Sequence, residues 1–420
     1  MYPNQSKLFH HESAGAVTPT VNHLGAANVL TALETIRILG PISRAKLARR
    51  SQFKPAALTR LVRYLIEEGL VIETEEIRSS ITYGRPGRLL QVNKGSKSVL
   101  GIDIEPDYLR MAVTDLGGAI LNYRQIVCDR HQSPEARFDL IRSTAADMGI
   151  QAGDVVRVGA SCAGHIDEAT GHVLSSTNLP KWHNVPVRDW LEEIFGVPVR
   201  IGRSIHQAAW AEHWFREEHE TGRVIVITLR TGIGFALIDH GSIYQGRDGF
   251  DGELGHTLVD MNGPVCECGR RGCLETFISP ASITRRVRAM IHEGRANRLA
   301  PFLTAGLEID PELIYRLARD GDADCREIVS DLVRYLGIGI ANLVNLLNPD
   351  SAVLCGAIDI VNEGLLESLR KEVQSQCLPG SWKNLQIRLS KHAERSALLG
   401  AAMRAAQDYA NAVVKSHANV

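Results

Sequence analysis

The stretch 253–275, E-L-G-H-T-L-V-D-M-N-G-P-V-C-E-C-G-R-R-G-C-L-E, constrains this chain more than any other. It holds His256 and three of the eight cysteines, Cys266, Cys268 and Cys273. Zinc takes four tetrahedral nitrogen or sulfur donors, and three thiolates with one imidazole close that shell without leaving a position for a catalytic water. Gly269 and Gly272 allow a tight turn between Cys268 and Cys273, so that both sulfurs reach one ion. The bland alternative is three buried thiols and a core histidine. Four donors around two glycines favour the metal, so one structural Zn2+ per chain is expected on His256, Cys266, Cys268 and Cys273. The ion would pin a loop whose ends carry Glu253 and Glu275, two carboxylates left for another task.

A chain of 420 residues holds two or three domains. With 44% hydrophobic and 23% charged residues it has ordinary globular composition. A net charge of −1 gives no bulk attraction to polyanions, so any nucleic-acid contact needs a local patch. Cys128, Cys162, Cys325, Cys355 and Cys377 are scattered and are expected to be reduced, which implies a cytoplasmic address. The N-terminal residues lack an apolar signal core, and no apolar run reaches the length of a bilayer span, so no membrane insertion is expected.

Residues 1–26 are expected to form a mobile arm. After it, 27–93 reads as a winged helix-turn-helix. Val29, Leu30, Leu33, Ile36 and Leu39 lie at helical spacing, and Gly40-Pro41 ends that helix. Ser43 caps a second helix, 44–50, and Pro55 opens a third that stops at Gly69. Strands are expected at 70–73 and 89–92, with a basic wing tip, Y-G-R-P-G-R, at 83–88. From 41 to 65 every charged residue is basic: Arg44, Lys46, Arg49, Arg50, Lys54, Arg60 and Arg63. A one-sign field of this kind suits phosphate neutralisation, and a helix with small outward residues plus arginine fits a major groove. The expected DNA-binding residues are Arg44, Lys54, Ala56, Thr59, Arg60, Arg63, Arg85 and Arg88, with operator duplex DNA as partner. Ala56 or Ala57 would meet a thymine methyl and Arg60 a guanine edge.

Residues 94–98 read as a linker. An apolar strand with one carboxylate follows, V-L-G-I-D-I at 99–104, then a second strand at 109–115, a Gly117-Gly118 turn and a third strand. The same order returns with strand 223–229, the turn T-G-I-G at 231–234 and strand 235–238. Duplicated hairpin lobes followed by helices imply an α/β architecture of two lobes around a cleft.

Residues 99–407 resemble the ROK family (repressors, open reading frames and sugar kinases). The resemblance rests on motifs in register: G-I-D-I from Gly101, A-G-H-I-D-E-A-T-G from Ala163, S-S-T-N-L-P-K-W from Ser175, T-G-I-G from Thr231, G-E-L-G-H from Gly252 and C-E-C-G-R-R-G-C-L-E from Cys266. G-I-A-N-L-V-N-L-L-N-P from Gly339 and S-A-L-L-G-A-A from Ser396 complete the set. The resemblance implies an actin-like, ribonuclease-H-like ATPase fold. Lobe one would span about 99–203 plus the C-terminal helix, lobe two about 204–390, and 408–420 a tail. With the N-terminal module attached, the chain is similar to the repressor branch, whose best-known types respond to glucose, N-acetylglucosamine or xylose.

Departures from the kinases argue for a regulator without phosphoryl transfer. Where kinases carry two glycines and a threonine after the first strand, this chain has Glu105, Pro106 and Asp107. Carboxylates repel a triphosphate, and proline removes a backbone donor. Ser204 stands where the kinases carry the aspartate base, and loss of a positioned base costs about 10²–10⁴ in rate. Arg230 replaces a glycine, and Cys355-Gly356-Ala357 replaces a glycine run. No catalytic residue is therefore assigned. By resemblance, Asn178, Glu253, His256 and Glu275 match the family's sugar-holding residues. Arg203 and Ser204 complete the expected effector set, Arg203 suggesting an acidic or phosphorylated sugar. The expected molecule is a sugar-controlled repressor of carbohydrate genes, a homodimer or homotetramer, with a sugar-transporter protein as a further possible partner. The long helix 328–347 would pack within its lobe or between subunits. The rival is an ATP-dependent sugar kinase with a fused DNA-binding domain.

Overall fold

The computed structural model describes residues 25–75, 88–216, 222–304, 309, 311–356 and 363–418. They form two compact units, one running up to Gln91 with Asn411 onward added, the other spanning Val92–Ala410. Among the described residues no helix is long and apolar enough to cross a membrane.

The first unit contains α1 (Ala26–Leu39), β1 (Ile42–Ser43), α2 (Arg44–Ser51), α3 (Pro55–Glu67), β2 (Val71–Glu75) and β3 (Arg88–Val92). Val29, Ala32, Leu33 and Ile36 of α1 are buried, as are Leu47 of α2 and Leu58, Leu61, Val62 and Leu65 of α3. The spacing in each helix gives one apolar stripe, so three short helices share one core. Ser43 Oγ accepts from Lys46 N and caps α2; Pro55 occupies the first turn of α3. Lys54, Ala56, Thr59, Arg60 and Arg63 are exposed. The sheet has the order β1-β3-β2. Strand β1, two residues long, is too short to leave a periodic signal and was not expected. The wing tip with Arg85 lies outside the described residues, as does Ala357.

The second unit opens with a 3-10 turn, Lys94–Ser96, where a plain linker was expected. It continues with β4 (Ser98–Ile104), β5 (Tyr108–Asp115), β6 (Ile120–Val127), α4 (Pro134–Asp147), β7 (Val158–Cys162), β8 (His165–Asp167), β9 (His172–Ser175), β10 (His183–Val185), α5 (Val187–Phe195), β11 (Val199–Arg203) and α6 (Ser204–Trp214). The second half holds β12 (Val224–Leu229), β13 (Ile233–Asp239), β14 (Ser242–Ile243), α7 (Glu275–Ile278), α8 (Pro280–His292), α9 (Ala300–Thr304), α10 (Pro311–Arg319), α11 (Ala323–Leu347), β15 (Ser351–Gly356), α12 (Glu363–Gln376), α13 (Pro379–Trp382), β16 (Gln386–Leu389) and α14 (Ser396–Ala418).

Two five-stranded sheets, β11-β7-β4-β5-β6 and β14-β13-β12-β15-β16, have one topology. In each, a three-stranded antiparallel meander continues into two parallel strands. β4 and β12 are therefore equivalent, and the duplication read from the hairpins extends through both sheets. Strands β4 and β7 are buried almost throughout, as sheets covered on both faces must be. Helix α14 covers the first sheet. A Cβ on Gly159 would fall 1.9 Å from Ala401 O, so only glycine permits this approach. The tail expected from 408 onward is instead helical to Ala418, because Ala410 and Val414 keep an apolar stripe buried. Within the first unit, Tyr64 Oη donates to Val413 O at 3.2 Å. The interior of the second half is built around α11, whose Ile328, Leu332, Leu336, Ile340 and Val344 are buried within the lobe.

Candidate metal centre and ligand cleft

The donor atoms of His256, Cys266, Cys268 and Cys273 all lie within 4.8 Å of one another. His256 Nδ1 is 3.6 Å from Cys266 Sγ, and Cys268 Sγ is 3.7 Å from Cys273 Sγ. Zinc–sulfur bonds of about 2.3 Å give a tetrahedron edge of about 3.8 Å, close to these two separations. The backbone builds this knuckle locally: Cys266 N donates to Arg270 O at 2.7 Å and Gly269 N to Cys266 O at 2.9 Å. Gly272 has φ +69°, and a Cβ there would lie 1.6 Å from Asp260 O. The cluster can hold a metal ion, and the chemistry of its donors suits zinc.

The knuckle is continuous with the ligand-cleft candidates. Glu253 precedes the 3-10 turn Leu254–His256, and Glu275 opens α7 two residues after Cys273. Glu275 Oε2 accepts from Ile233 N at 3.3 Å. Burial holds the Glu275 carboxyl above the usual range; His256 and the Ile233 amide oppose this, and Glu267 and Glu253 add to it. Asn178 comes from the loop after β9. A Cβ on Gly232 would lie 3.2 Å from Asn178 Nδ2 and 3.3 Å from Glu275 Oε2, so these side chains from two lobes meet over bare backbone.

Arg203 ends β11 and Ser204 begins α6. The Arg203 side chain is turned onto its own chain. NH1 donates to Gly249 O at 2.8 Å and Asp251 O at 2.6 Å, and NH2 to Glu253 Oε1 at 2.6 Å. Its charge is paired with Glu253, not offered unpaired to an acidic ligand. The same contact neutralises Glu253. Behind it, His206 Nε2 is 2.8 Å from Asp251 Oδ2. Burial would raise Asp251, but hydrogen bonds from His206 and Gly246 N bring it down to about 2.

At the ends of β4 and β12, buried charges answer each other. Arg230 NH1 lies 2.9 Å from Glu105 Oε1 and 3.1 Å from Asp103 Oδ2. Arg230 NH2 donates to Glu394 O at 2.6 Å. Arg110 NH1 reaches Asp103 at 3.5 Å, and its NH2 reaches Glu394 at 2.9 Å. Asp107 accepts from Thr231 Oγ1 at 3.2 Å. The departures Glu105, Asp107 and Arg230 thus converge at the equivalent ends of β4 and β12. Sequence reasoning missed Arg110, Glu394, His206 and Asp251. Arg110 alternates with apolar residues along β5 and carried no signal; Asp251, two residues before Glu253, was the readable one.

In the first unit, Glu73 of β2 accepts from Arg44 Nε at 3.1 Å and from Arg88 NH1 at 2.9 Å. One carboxylate thus ties the start of α2 to the base of β3. Arg60 and Arg63 form no ion pair among the described residues.

A family model described as the ROK family matches residues 99–408. The xylose repressor of Caldicellulosiruptor bescii is 31% identical over 90% of this chain and 96% of its own length. The crystal structure of a ROK family transcriptional regulator, a homolog of the Escherichia coli MLC protein, superposes with a TM-score of 0.78 at 28% identity. It covers 94% of this chain and 99% of that one. A ROK family glucokinase from Streptomyces griseus, solved with glucose and AMPPNP, gives a TM-score of 0.64 at 29% identity over 74% of this chain and 99% of its own. The mixed α/β domain accordingly has a plain explanation: the chain belongs to the ROK family.

Proposed function

We propose that the chain is a sugar-responsive, DNA-binding transcriptional repressor of carbohydrate genes, with a kinase-like cleft that senses a ligand and transfers no phosphoryl group. The observation that carries this reading is the buried pairing of Arg230 with Asp103 and Glu105. A guanidinium and two carboxylates fill the region between the lobes where a phosphate cradle needs open backbone donors. Repressor relatives of nearly full length support the same reading.

The residues assigned to the effector are Asn178, Glu253, His256 and Glu275, with Ser204 at the edge. Arg203 positions Glu253. Vicinal hydroxyls suit this set, because carboxylates and an amide accept and donate in pairs without demanding ligand charge. Bound Zn2+ would be held by His256, Cys266, Cys268 and Cys273, and its role is to fix the imidazole and loop. With Nδ1 turned to the cysteines, Nε2 of His256 is the nitrogen left to donate.

The first unit is read as a winged helix-turn-helix with α3 as its DNA-facing helix. Lys54, Ala56, Thr59, Arg60 and Arg63 face out, and Arg44 and Arg88 flank them. Two such units in a homodimer would address a pseudo-palindromic operator. Ligand binding lowers operator affinity by the ligand's preference for one of the two states. Fluorescence anisotropy on promoter fragments, titrated with xylose, glucose and N-acetylglucosamine, tests this. Tight binding released by one sugar is expected. Binding that no sugar releases would leave control by a protein partner, and absence of DNA binding would overturn the reading. Phosphorylation of the same sugars with ATP would restore the kinase alternative.

A further inference from the structure

We propose that His165 and Phe250 form an additional wall of the ligand cleft, one that donates to a hydroxyl and covers an apolar ring face of a neutral sugar. The inference rests on the sugar reading of the cleft and names residues outside the set assigned above.

His165 lies on β8 in the first lobe. Its ring centroid is 4.1 Å from that of Phe250, with an interplanar angle of 33°. Arg203 bonds the carbonyls on both sides of Phe250 and also Glu253, so the His165 ring stacked on Phe250 belongs to the same cluster of residues. His165 Nδ1 is buried without a hydrogen-bond partner. A proton there would be a buried, unanswered donor, so the ring carries its hydrogen on Nε2. Burial also lowers the tendency of the ring to protonate. The result is a neutral imidazole, stacked on Phe250, with one N–H available.

Phe250 is 56% exposed, unusual for a phenyl ring on a firmly held loop. The carbonyls on either side of it, Gly249 O and Asp251 O, both accept from Arg203. The Asp251 carboxylate is further held by Gly246 N at 3.0 Å and by His206. Arg203 therefore acts through Phe250 as well as Glu253: it fixes an aromatic face in place before any ligand arrives, which lowers the cost of binding. An aromatic face beside convergent hydrogen-bonding groups suits a pyranose or furanose ring, which presents C–H on its faces and hydroxyls on its rim. Arg203 is paired with Glu253 and so offers no unpaired charge to a ligand carboxylate or phosphate. The selected class is a neutral sugar.

The test is calorimetric titration of the full chain with D-xylose, D-glucose and N-acetyl-D-glucosamine, in wild type and in H165L, H165Q, F250A and F250Y. For the sugar that binds wild type, H165L should weaken binding about three- to tenfold, the size of one lost hydrogen bond. H165Q places an amide N–H near the position of Nε2 and should stay within about twofold. F250A should weaken binding several-fold and F250Y should keep it. Unchanged melting temperature and metal content confirm the fold, and if H165L does not fold, the Phe250 pair decides alone. H165L and F250A binding like wild type would overturn this wall and leave the sugar reading intact. Wild type binding none of the three would overturn both.

Discussion

Glu105 and Arg230 are the first residues after topologically equivalent strands, β4 and β12, and their charged groups lie 2.9 Å apart. Each lobe contributes one half of the contact. Asp103, fully buried, joins the same guanidinium at 3.1 Å. Removing one partner of a buried ion pair strands the other charge, which costs about 3–5 kcal/mol. Arg230→Ala should therefore lower unfolding stability by that order in urea titration, well beyond an exposed arginine such as Arg60. A loss no larger than that of Arg60→Ala would show that water already reaches the cluster.

The same cluster makes stability depend on pH. Burial raises the Glu105 carboxyl to about 7; Arg230 opposes the rise and Asp103 adds to it. In the unfolded chain the value is about 4.3. Between the two, the folded chain holds a proton that the unfolded chain has released, so stability falls as pH rises. The contribution is complete below about 4.3 and disappears through about 7. Glu105→Gln is neutral throughout. The melting temperature of wild type relative to Glu105→Gln should fall between pH 5.5 and 8. A constant difference across that window would contradict the assignment.

What the sequence revealed and what it hid follow from the range of the interactions. The helices of the first unit were legible because Leu58, Leu61, Val62 and Leu65 repeat within one element and Ser43 caps the next. The metal cluster was legible because three of its donors lie within eight residues and glycines mark the turns. Glu105, Pro106, Asp107, Ser204 and Arg230 could be named as departures, but their partners could not. Arg110 and Glu394 lie 284 positions apart, and no local pattern connects them. Arg203 was read as facing a ligand; which way a cleft arginine turns depends on carbonyls nearly fifty residues away. The helix running to Ala418 was read as a tail because its small apolar residues give a weak amphipathic signal.

The knuckle yields a prediction about metal and ligand together. Four donors within 4.8 Å of one another should hold one zinc per chain, measurable by elemental analysis. Cys268→Ser, or exhaustive treatment with a chelator, should lower the melting temperature, since metal binding to a folded site is folding free energy. Glu275 stands two residues past Cys273 and His256 is proposed for both groups, so on that proposal the same treatment should also weaken sugar binding. Zinc loss that lowers stability and leaves sugar affinity untouched would separate the two sites.

On the proposed DNA-facing surface, Glu73 sets the relative weight of the arginines. Each phosphate neutralised adds about 0.9 to the slope of log K against log salt. Arg60 and Arg63 on α3 are exposed and form no ion pair among the described residues, so each alanine variant should reduce that slope by about one. Arg44 already shares its charge with Glu73 and must give up that contact to serve a phosphate. Arg44→Ala should therefore cost less slope than Arg60→Ala. Glu73→Gln releases both Arg44 and Arg88 and removes a negative charge near the duplex; it should tighten binding, most at low salt. Anisotropy titrations across a salt series measure all of these. Weaker binding by Glu73→Gln would mean that the carboxylate holds its arginines in the geometry the duplex needs, and the order of Arg44 and Arg60 would then reverse.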